Sequence, residues 1–305
     1  MIIIFCEVGV ILRVLVTGEN SYIGKMFAKW VYSFPDTLEI TFISLRNDDW
    51  VKQDFSVFDV VFHVAAIVHE KEKTKLRTLY FRINKELPIL IAKKAKNAGV
   101  KQFIFMSTLS VYGLDGLIGG QNVINLDTLC HPKSFYGRSK LEAEIELKKI
   151  SDDTFKLVII RAPMVYGPDS PGNYKRLRKF ILKSPVFPAI DNSRSMIYID
   201  NLSEFIRLII INQESGLFIP QNQEFINVVE MASLISMSNH KKIAFSKVLA
   251  HVIYLIGNHS GLLRRVFGNL TVEKELSVFE KYKYSNFSLK QSINTCETNV
   301  VNRPM

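Results

Sequence analysis

Two residues that can exchange a proton stand close together in the middle of the chain, Tyr136 and Lys140. They are four positions apart in a stretch that reads as the start of a helix, and this spacing places both side chains on one helix face. A lysine ammonium beside a tyrosine hydroxyl favours the phenolate, which lowers the pKa of the phenol toward working pH. A group that must take and return an alcohol proton needs such a pKa. The pair is a candidate acid and base, although the same spacing is common on solvated helix faces.

A second candidate site lies near the N-terminus, where an apolar run ending at Val16 is followed by a small-residue turn and a helical pattern. A strand, a tight glycine turn and a helix start in this order bind pyrophosphate, since unpaired N–H groups and the helix dipole point at the anion. Gly18 permits the turn and Gly24 permits close packing of helix and strand. Ser21 stands where the dinucleotide fingerprint has its middle glycine, and its hydroxyl can donate to a phosphate. An ordinary strand-to-helix turn is the alternative.

The third feature is an apolar run over residues 103–106 that ends in Ser107 and Thr108. In an open parallel sheet, ligands bind outside the carboxyl ends of the strands. Thr108 is therefore predicted to hydrogen-bond a substrate hydroxyl or carbonyl. Such residues at a strand end are also common in ordinary turns, where the hydroxyl bonds its own backbone.

The elements that must position these residues follow an alternating pattern. Apolar, β-branched runs alternate with amphipathic helical stretches through the first half of the chain, which is typical of a parallel sheet with helices on both faces. The fold class predicted is thus α/β with a doubly wound parallel sheet. Strands are predicted near 12–16, 39–44, 58–65, 101–107 and 155–161, and helices near 23–33, 84–98 and 137–150.

The pattern changes after Arg161, where a stretch punctuated by proline and glycine begins. This change predicts a domain boundary, with a dinucleotide-binding domain over 1–163 and a smaller substrate-binding domain over 164–305. Residues 200–212 form a regular amphipathic pattern, and this helix is predicted to pack back on the first domain.

Composition limits the protein class and its compartment. The chain has 305 residues, of which 48% are hydrophobic and 22% charged, the balance of a soluble globular enzyme. Its three cysteines are far apart in the sequence, so no disulfide is expected and a reducing cytoplasm is the simplest location. The six histidines follow no metal-ligand spacing, so no metal is expected.

Two apolar stretches bear on membranes. Met1 to Val16 is interrupted by Glu7 and Arg13 and is shorter than the roughly 20 residues of a spanning helix, so no integral membrane segment is predicted. Residues 1–9 read as an extension, either a start-site artefact or an extra strand. Residues 251–267 allow a peripheral membrane contact, and the alternative is a helix docked on the second domain or on a neighbouring subunit.

Taken in order, these segments resemble the extended short-chain dehydrogenase/reductase superfamily, in its branch of NAD(P)-dependent nucleotide-sugar epimerases, dehydratases and reductases. The passages look closest to the members that serve capsular polysaccharide. The resemblance covers nearly the whole chain and implies a Rossmann-type domain with a smaller C-terminal substrate-binding domain. Its further segments are residues 59–66, Asn84, residues 99–103, residues 161–168, residues 172–174 and residues 194–200.

The resemblance implies a role for each site residue. Tyr136 exchanges a proton with the sugar oxygen, Thr108 hydrogen-bonds that oxygen, and Lys140 tunes Tyr136 and holds the nicotinamide ribose. Asn84 helps to position Lys140 or an ordered water. The implied NAD or NADP site consists of Gly18, Asn20, Ser21, Tyr22, Ile23, Gly24, Ser44, Arg46, Asp54, Phe55, Val64, Ala65, Ala66, Asn84, Tyr136, Lys140 and Pro163. The implied substrate site consists of Thr108, Asn173 and Arg194, the last at the position that meets the nucleotide diphosphate.

The implied reaction is hydride transfer at C4 of a nucleotide-linked hexose, with UDP as the expected carrier, for surface polysaccharide. A 4-epimerase and a 4-keto-sugar reductase both remain open. Family 4,6-dehydratases carry Asp-Glu directly after the catalytic threonine, whereas Leu109 and Ser110 follow Thr108, so dehydration is not expected. The non-enzyme alternative is a dinucleotide-binding sensor or scaffold, although such relatives usually lose the tyrosine or the lysine.

The choice of dinucleotide depends on the end of the second strand. In NAD-selective members an acid there accepts hydrogen bonds from the ribose hydroxyls. Ser44 stands at this position and Arg46 follows, so NADP is expected to be tolerated, with a slight lean toward it. Asp48 and Asp49 are near enough to restore an NAD preference if the loop folds back.

Charge and family habit bear on partners. The formal net charge is +10, which favours anionic ligands such as a dinucleotide and a sugar nucleotide. Nucleic acid is the rival explanation, but the sequence contains no zinc-finger or RNP-type motif, and no nucleic-acid binding is expected. Superfamily members commonly pair through two helices, here near 84–98 and 137–150, so a homodimer is expected.

Overall fold

The computed structural model describes residues 11–34, 37–68, 74–278 and 283–301. The predicted extension at 1–9 lies outside these ranges. The helices are α1 (Tyr22–Val31), α2 (Asp49–Lys52), α3 (Arg77–Phe81), α4 (Leu87–Asn97), α5 (Phe135–Ile150), α6 (Asn173–Lys183), α7 (Ile199–Ile211), α8 (Val228–Ser238), α9 (Lys247–Ile256), α10 (Gly261–Phe267) and α11 (Leu289–Val301). The strands are β1 (Leu12–Thr17), β2 (Leu38–Ile43), β3 (Val60–His63), β4 (Gln102–Thr108), β5 (Val123–Ile124), β6 (Lys156–Ala162), β7 (Met164–Tyr166), β8 (Val186–Pro188), β9 (Met196–Tyr198), β10 (Gly216–Phe218), β11 (Ala244–Ser246) and β12 (Thr271–Val272).

Within the described residues, six parallel strands form the central sheet in the order β2-β1-β3-β4-β6-β10. From β1 the chain adds β2 on one side and β3 on the other, so the order reverses at β1. The register aligns Thr17, His63 and Phe105 across β1, β3 and β4. The carboxyl ends of these strands therefore meet at one edge, next to the point where the order reverses, and that is where open parallel sheets bind ligands.

Alternation along the strands gives the central sheet a packed hydrophobic core on each of its faces. Val14 and Val16 point to one face of the sheet, where Phe27 of α1 packs. Leu15 points to the other face, where Ala143 of α5 packs. Successive strand residues point to opposite faces, so buried apolar residues at every position require helices on both sides.

The predicted fold class, a Rossmann-type doubly wound parallel sheet, is confirmed. The five predicted strands are present as β1, β2, β3, β4 and β6, with ends that differ by at most two residues. The sequence did not predict β10, because three residues are too few to show a strand period. The predicted domain division at 163/164 remains a prediction, and Val16 of β1 and Ile197 of β9 lie in one continuous hydrophobic cluster.

Helix α7, which corresponds to the amphipathic pattern at 200–212, packs against α1. Trp30 of α1 donates its indole N–H to the carboxylate of Glu204 of α7 at 2.8 Å, and the buried face of α7 includes Leu202 and Ile206. Within the described residues, no helix has both the length and the apolar character that a membrane span requires.

The burial of α7 gives a stability prediction. Ile206 is fully buried, whereas Ile211 at the end of the same helix is 37% exposed. We expect Ile206→Ala to lower the free energy of unfolding by about 2–5 kcal/mol, because the substitution leaves a cavity in a packed core. Ile211→Ala is the matched control and should cost less than about 1 kcal/mol. Urea denaturation measures both, and equal losses would contradict the packing of α7.

Candidate functional site

Helix α5 brings the Tyr-x-x-x-Lys pattern to the carboxyl edge of the sheet. Ser134 caps its N-terminus, and the serine hydroxyl accepts a hydrogen bond from the Gly137 N–H at 2.9 Å. A Cβ at position 137 would lie 2.5 Å from the carbonyl oxygen of Ser110. Glycine is therefore required at Gly137, because the first turn of α5 lies directly against the backbone that follows β4.

Thr108 and Tyr136 meet at this contact. Thr108 is the last residue of β4, and its hydroxyl is hydrogen-bonded to the Tyr136 hydroxyl. The Ser110 N–H holds the threonine by donating to Thr108 Oγ1 at 3.1 Å. Both side chains are half-buried, so a substrate oxygen can reach them from the edge of the sheet.

Burial raises the pKa of Tyr136 to about 12, against the opposing effect of its hydrogen bond with Thr108. The sequence pattern predicts a lowered pKa from a neighbouring lysine charge, and that expectation is wrong. The loss of hydration disfavours the phenolate, and it outweighs the groups that stabilise the charged form. Tyr136 is consequently protonated at neutral pH.

Lys140 is buried one turn further along the same face of α5. Its Nζ donates to the carbonyl oxygen of Met106 at 2.7 Å and lies 4.4 Å from the centroid of the Phe105 ring. Burial lowers the pKa of Lys140 to about 7, while the nearby Glu144 carboxylate acts in the opposite direction. At neutral pH this amine is close to the midpoint of its titration.

Glu144, one further turn along α5, forms a buried ion pair with Arg161 of β6. The Arg161 Nη2 and Glu144 Oε2 atoms are 2.6 Å apart, and both side chains are at most 9% exposed. The Ser107 hydroxyl donates to the other oxygen of Glu144, and Arg161 Nη1 donates to the Tyr112 hydroxyl at 2.9 Å. The network joins α5 to β4 and β6 next to Tyr136 and Lys140.

Asn84 lies on a π-helical turn between α3 and α4 and is fully buried. Its Oδ1 accepts from the Ile67 N–H at 2.9 Å, and its Nδ2 donates to the Ile67 carbonyl at 3.0 Å and to Ser139 Oγ at 3.3 Å. Asn84 therefore holds the segment after β3 against α5, beside Lys140.

The glycine turn after β1 has the shape of an anion site. Gly18 has a φ of +91°, and a Cβ there would lie 3.1 Å from Ala65 Cα. Ser21 caps α1 by accepting from the Gly24 N–H at 3.3 Å, which leaves its hydroxyl hydrogen for a ligand. A Cβ on Gly24 would lie 3.0 Å from Val16 Cγ1. The N–H groups of the first turn of α1 have no carbonyl partner within the helix, so they can bind pyrophosphate.

The other residues of this turn differ in exposure. Asn20 is exposed, and Lys25 Nζ donates to its Oδ1 at 3.3 Å. Tyr22 and Ile23 are half-buried, and burial raises the pKa of the Tyr22 phenol. A Cβ on Gly167 would lie 2.5 Å from the Tyr22 hydroxyl oxygen. Tyr22 thus packs against the segment after β7, and the backbone of the turn is the part that can face a ligand.

Ser44 and Arg46 follow β2, with Ser44 half-buried and Arg46 exposed. Asn47 Nδ2 donates to the Asp49 carboxylate at 2.5 Å at the start of α2. Asp48 is exposed. The position predicted to contact the adenosine ribose therefore carries a hydroxyl, and Asp49 is engaged by its neighbour.

Two predicted cofactor residues between α2 and β3 have opposite environments. Asp54 is exposed and accepts a hydrogen bond from the Ser56 N–H at 2.8 Å, which lowers the pKa of its carboxyl. Phe55 is buried, and the Nζ of Lys94 lies 4.9 Å from its ring centroid. Phe55 belongs to the hydrophobic core.

The remaining predicted cofactor residues lie at the carboxyl edge of the sheet. Val64, Ala65 and Ala66 directly follow β3, and Pro163 directly follows β6. Val64 and Pro163 are buried, while the two alanines are half-buried. Of these residues Ala65 lies against Gly18, whereas Pro163 lies three strands further along the edge, and their role at a cofactor remains a prediction.

His63 ends β3 and is fully buried. Its Nδ1 lies 2.9 Å from Thr17 Oγ1. Burial lowers the pKa of His63 well below its usual range, and the Lys140 charge acts in the same direction. A neutral, buried imidazole in this position packs the edge of the sheet beneath the site.

Arg194, predicted to meet a diphosphate, is 8% exposed. Its Nη1 donates to the Arg264 carbonyl at 3.3 Å and to the Gly268 carbonyl, both at the end of α10. Its Nε has no hydrogen-bond partner among the described residues. Burial lowers the pKa of Arg194 to about 10, and Asp115 opposes this shift. The side chain is thus a buried cation whose Nε–H donor is unpaired.

Asn173, the other predicted substrate residue, is exposed at the first position of α6. Within the described ranges, no hydrogen bond connects it to Thr108, Tyr136 or Arg194. The structure brings Thr108 and Tyr136 into contact beside Lys140, and the role of Asn173 remains a prediction.

Sequence reasoning missed one prominent residue of the site, Glu144. A signal was present, because Glu144 follows Lys140 at the same spacing by which Lys140 follows Tyr136. Three such residues share one helix face. The hydrogen bond from Lys140 to the Met106 carbonyl could not be predicted from the sequence, because every residue has the same backbone carbonyl.

Fold and site together define the class of protein. A doubly wound parallel sheet carries a glycine turn after its first strand, a threonine at the end of a central strand, and the Tyr-x-x-x-Lys pattern on the next long helix. This combination is that of an extended short-chain dehydrogenase/reductase. The chain belongs to the NAD dependent epimerase/dehydratase family, whose family model matches residues 14–218.

Curated relatives agree with this family. The UDP-glucose 4-epimerase of Vibrio cholerae is 31% identical over 215 residues, which cover 63% of this chain and 65% of that protein. The N-acetyl-α-D-glucosaminyl-diphospho-ditrans,octacis-undecaprenol 4-epimerase of Escherichia coli O157:H7 is 27% identical over 244 residues, covering 77% and 70%. The chain thus matches less than two thirds of the Vibrio protein, and only 44% of an uncharacterised relative from Sinorhizobium fredii.

Solved structures share the fold over nearly the whole chain. The UDP-glucose 4-epimerase of Thermus thermophilus in complex with NAD has a TM-score of 0.72 at 17% identity, with coverage of 95% of this chain and 99% of that one. A human epimerase family protein with NADPH has a TM-score of 0.74 at 15% identity, with coverage of 94% and 100%. At these identities, the likeness shows the fold.

The lowered pKa of Lys140 predicts a pH-dependent effect on stability. The unfolded lysine keeps its proton up to its usual value of 10.5, whereas the folded one loses it near 7. Between these values the unfolded state binds more protons than the folded state. The free energy of unfolding therefore rises with pH, and this contribution is lost as pH falls toward 7. Below 7 the fold must bury an ammonium.

We therefore expect Lys140→Met to gain stability relative to the wild type at about pH 6.5 and to lose that gain by about pH 9.5. Urea denaturation at both pH values measures the change, which should be on the order of several kcal/mol. Lys148→Met, on the exposed side of α5, is the control. Its difference in free energy of unfolding from the wild type should be the same at both pH values. A pH-independent effect of Lys140→Met would contradict the lowered pKa.

Proposed function

We propose that the protein is an NAD(P)-dependent enzyme that oxidises or reduces C4 of a hexose carried on a nucleotide diphosphate, with UDP as the favoured carrier. The observation that carries this proposal is the hydrogen bond between Thr108 and Tyr136 at the carboxyl end of β4, with Lys140 buried on the same face of α5. Such a cluster can move a proton on and off an alcohol oxygen.

The dinucleotide is proposed to bind along the carboxyl edge from the glycine turn to α5. At Gly18 a Cβ would crowd Ala65 at 3.1 Å and the φ of +91° disfavours any other residue. The first-turn N–H groups of α1 together with the Ser21 hydroxyl suit the pyrophosphate of the dinucleotide. When bound, the nicotinamide supplies the hydride acceptor or donor. The residues of the chain orient the sugar and handle the proton.

Three side chains divide the proton chemistry. Tyr136, with a pKa of about 12, holds its proton at neutral pH and can donate it to a sugar oxygen. Thr108 hydrogen-bonds the same oxygen. For oxidation of the alcohol, the neutral amine of Lys140, with a pKa of about 7, takes the Tyr136 proton, and the resulting phenolate takes the proton of the sugar hydroxyl. The N–H donors of Lys140 are also assigned to a ribose hydroxyl of the cofactor.

The residues after Thr108 favour epimerisation or reduction over dehydration. Elimination of water at a neighbouring carbon requires an acid beside the reacting ring. Leu109 is buried and Ser110 bonds Thr108, so no carboxylate directly follows the threonine. An epimerase returns the hydride to the same sugar, whereas a reductase releases oxidised coenzyme, and the site residues serve both.

The two curated relatives support a substrate with a diphosphate. Their names describe 4-epimerases of a hexose on UDP and of an acetamido sugar on an undecaprenol diphosphate. A buried guanidinium with an unpaired Nε–H, as in Arg194, suits a diphosphate oxygen. A role in making or reshaping a sugar of a surface polysaccharide is part of the proposal, and it follows from the resemblance of the sequence segments to the members that serve capsular polysaccharide.

A homodimer and a cytoplasmic location complete the proposal. Leu90 on α4 and Ile145 on α5 are 53% and 48% exposed, and these are the two helices through which the superfamily commonly pairs. Cys130 and Cys296 are free thiols, which suits a reducing compartment. The non-catalytic alternative, a dinucleotide-binding sensor or scaffold, does not explain why Thr108 and Tyr136 are hydrogen-bonded beside a buried lysine.

Tyr136→Phe tests the reaction. We expect kcat to fall by roughly 10²-fold or more, because the substitution removes the proton-transfer oxygen, while the affinity for dinucleotide stays nearly unchanged. The assay offers UDP-hexoses, their 4-keto derivatives and polyprenol-diphosphate hexoses with NAD(H) or NADP(H). Tyr32→Phe, at an 88% exposed tyrosine, is the matched control. Near-normal turnover by Tyr136→Phe on the identified substrate would contradict the assignment of Tyr136 as the proton-transfer residue.

Arg46→Ala tests the choice of coenzyme. With a hydroxyl at Ser44 and an exposed guanidinium at Arg46, we expect the wild type to bind NADPH at least as tightly as NADH. We expect Arg46→Ala to lose roughly tenfold in NADPH affinity, the value of one charge-assisted contact. Lys52→Ala, exposed on α2, removes the same charge nearby as a control. A clear NADH preference that Arg46→Ala leaves unaltered would contradict the assignment.

A further inference from the structure

Helices α9 and α10 carry exposed apolar side chains on their outer side, and we call this patch the α9–α10 surface. Val248, Leu255 and Ile256 are 75%, 67% and 57% exposed. The surface consists of Val248, Leu249, Val252, Leu255 and Ile256 on α9 and Leu262 on α10. The α9 members recur at the spacing of one helix face, so they form a continuous stripe.

The inner side of the same segment is firmly attached to the protein. Ala250 is buried and Ile253 packs against the main hydrophobic cluster. Asn258 exchanges two hydrogen bonds with the backbone of Ile118, at 3.0 and 2.9 Å. Helix α9 therefore packs on the protein with its inner side and presents a second apolar stripe to solvent. Exposed apolar side chains that lie together mark a surface for a partner.

The charge of this segment indicates the chemistry of that partner. From Met231 to Val272 the sequence contains no aspartate and no glutamate. Lys247 and Arg265 are exposed beside the apolar stripe, whereas Arg264 is paired with Asp115 at 3.2 Å. The basic residues of the segment are Lys241, Lys242, Lys247, Arg264 and Arg265, with His240, His251 and His259 among them. An anionic partner with an apolar interior would match both properties.

We propose that the α9–α10 surface docks on an anionic lipid bilayer. Short amphipathic helices with apolar side chains and flanking lysine or arginine lie in the membrane interface, and each basic residue near anionic headgroups adds to the attraction. Leu255, Ile256 and Leu262 would enter the headgroup boundary, while Lys247 and Arg265 would contact lipid phosphates. A second copy of the chain is a poorer occupant, because a twofold contact brings the same positive patch against itself.

The surface is also joined to the proposed substrate site. Arg194 donates to two carbonyls at the end of α10, so the residue proposed to contact the diphosphate is held by the helix that carries Leu262 of the α9–α10 surface. The docking proposal itself rests on exposure and charge and does not depend on the proposed reaction.

Sedimentation with lipid vesicles tests the proposal. The full chain is mixed with vesicles of phosphatidylcholine alone, or of phosphatidylcholine and phosphatidylglycerol in equal parts. We expect binding to the phosphatidylglycerol vesicles at low salt, and weaker binding at high salt because surface charges are screened. Leu255→Glu should reduce this binding by roughly tenfold or more, since a buried leucine contributes about 1.5–3 kcal/mol. Leu126→Glu, at an 84% exposed leucine elsewhere, should bind like the wild type.

Several outcomes would overturn the proposal. The first is no sedimentation of the wild type with phosphatidylglycerol vesicles, and the second is an equal loss in both glutamate variants. A third is a wild-type oligomer that dissociates in the Leu255→Glu variant while this variant binds vesicles as the wild type does. That result would show that the α9–α10 surface is a contact between copies of the chain. A lowered melting temperature in Leu255→Glu would show that another part of the chain already covers the surface. Turnover of a nucleotide sugar by Leu255→Glu should equal that of the wild type, which separates this test from that of the proposed reaction.

Discussion

The site depends on the contact between the first turn of α5 and the backbone that follows β4. The contact is possible because Gly137 has no side chain, and a Cβ there would meet the Ser110 carbonyl. It brings Tyr136 within hydrogen-bond reach of Thr108 and at the same time carries Lys140 into the interior. Taking an amine out of water is costly, and the fold offsets part of that cost with the Met106 carbonyl and the Phe105 ring.

The buried Glu144–Arg161 pair extends this constraint to the next strand. A buried ion pair often adds little net stability, because desolvation offsets the attraction between its charges. Its value here is positional, since Ser107, Glu144 and Arg161 together fix the distance between α5 and the strands β4 and β6. The Glu144 carboxylate also raises the pKa of Lys140 against the effect of burial. The same pair therefore sets both the geometry of the site and the charge of its lysine.

The features that the sequence predicted correctly depend on the spacing of residues that are near one another in the chain. The parallel sheet and the glycine turn were predictable, because strand ends and helix faces follow from periodicity. The family resemblance, and not the periodicity, implied that Thr108 acts beside Tyr136. The pKa of Tyr136 was not predictable, because it depends on burial by residues distant in sequence. Arg194 shows the same limit: its type suits a diphosphate, but its bonds to carbonyls of α10 join residues about seventy positions apart, and no local pattern reports them.

The orientation of Arg194 depends on α10, an element distant from it in sequence. A helix C-terminus carries partial negative charge, and the carbonyls at the end of α10 hold the guanidinium through one of its nitrogens. The orientation of the remaining donors, including the unpaired Nε–H, is then determined by where α10 lies. That helix is held by Asp115 through Arg264 on one side and carries exposed Leu262 on the other. The geometry of the proposed diphosphate contact thus depends on packing at the periphery of the molecule as well as on the sheet that carries Thr108 and Tyr136.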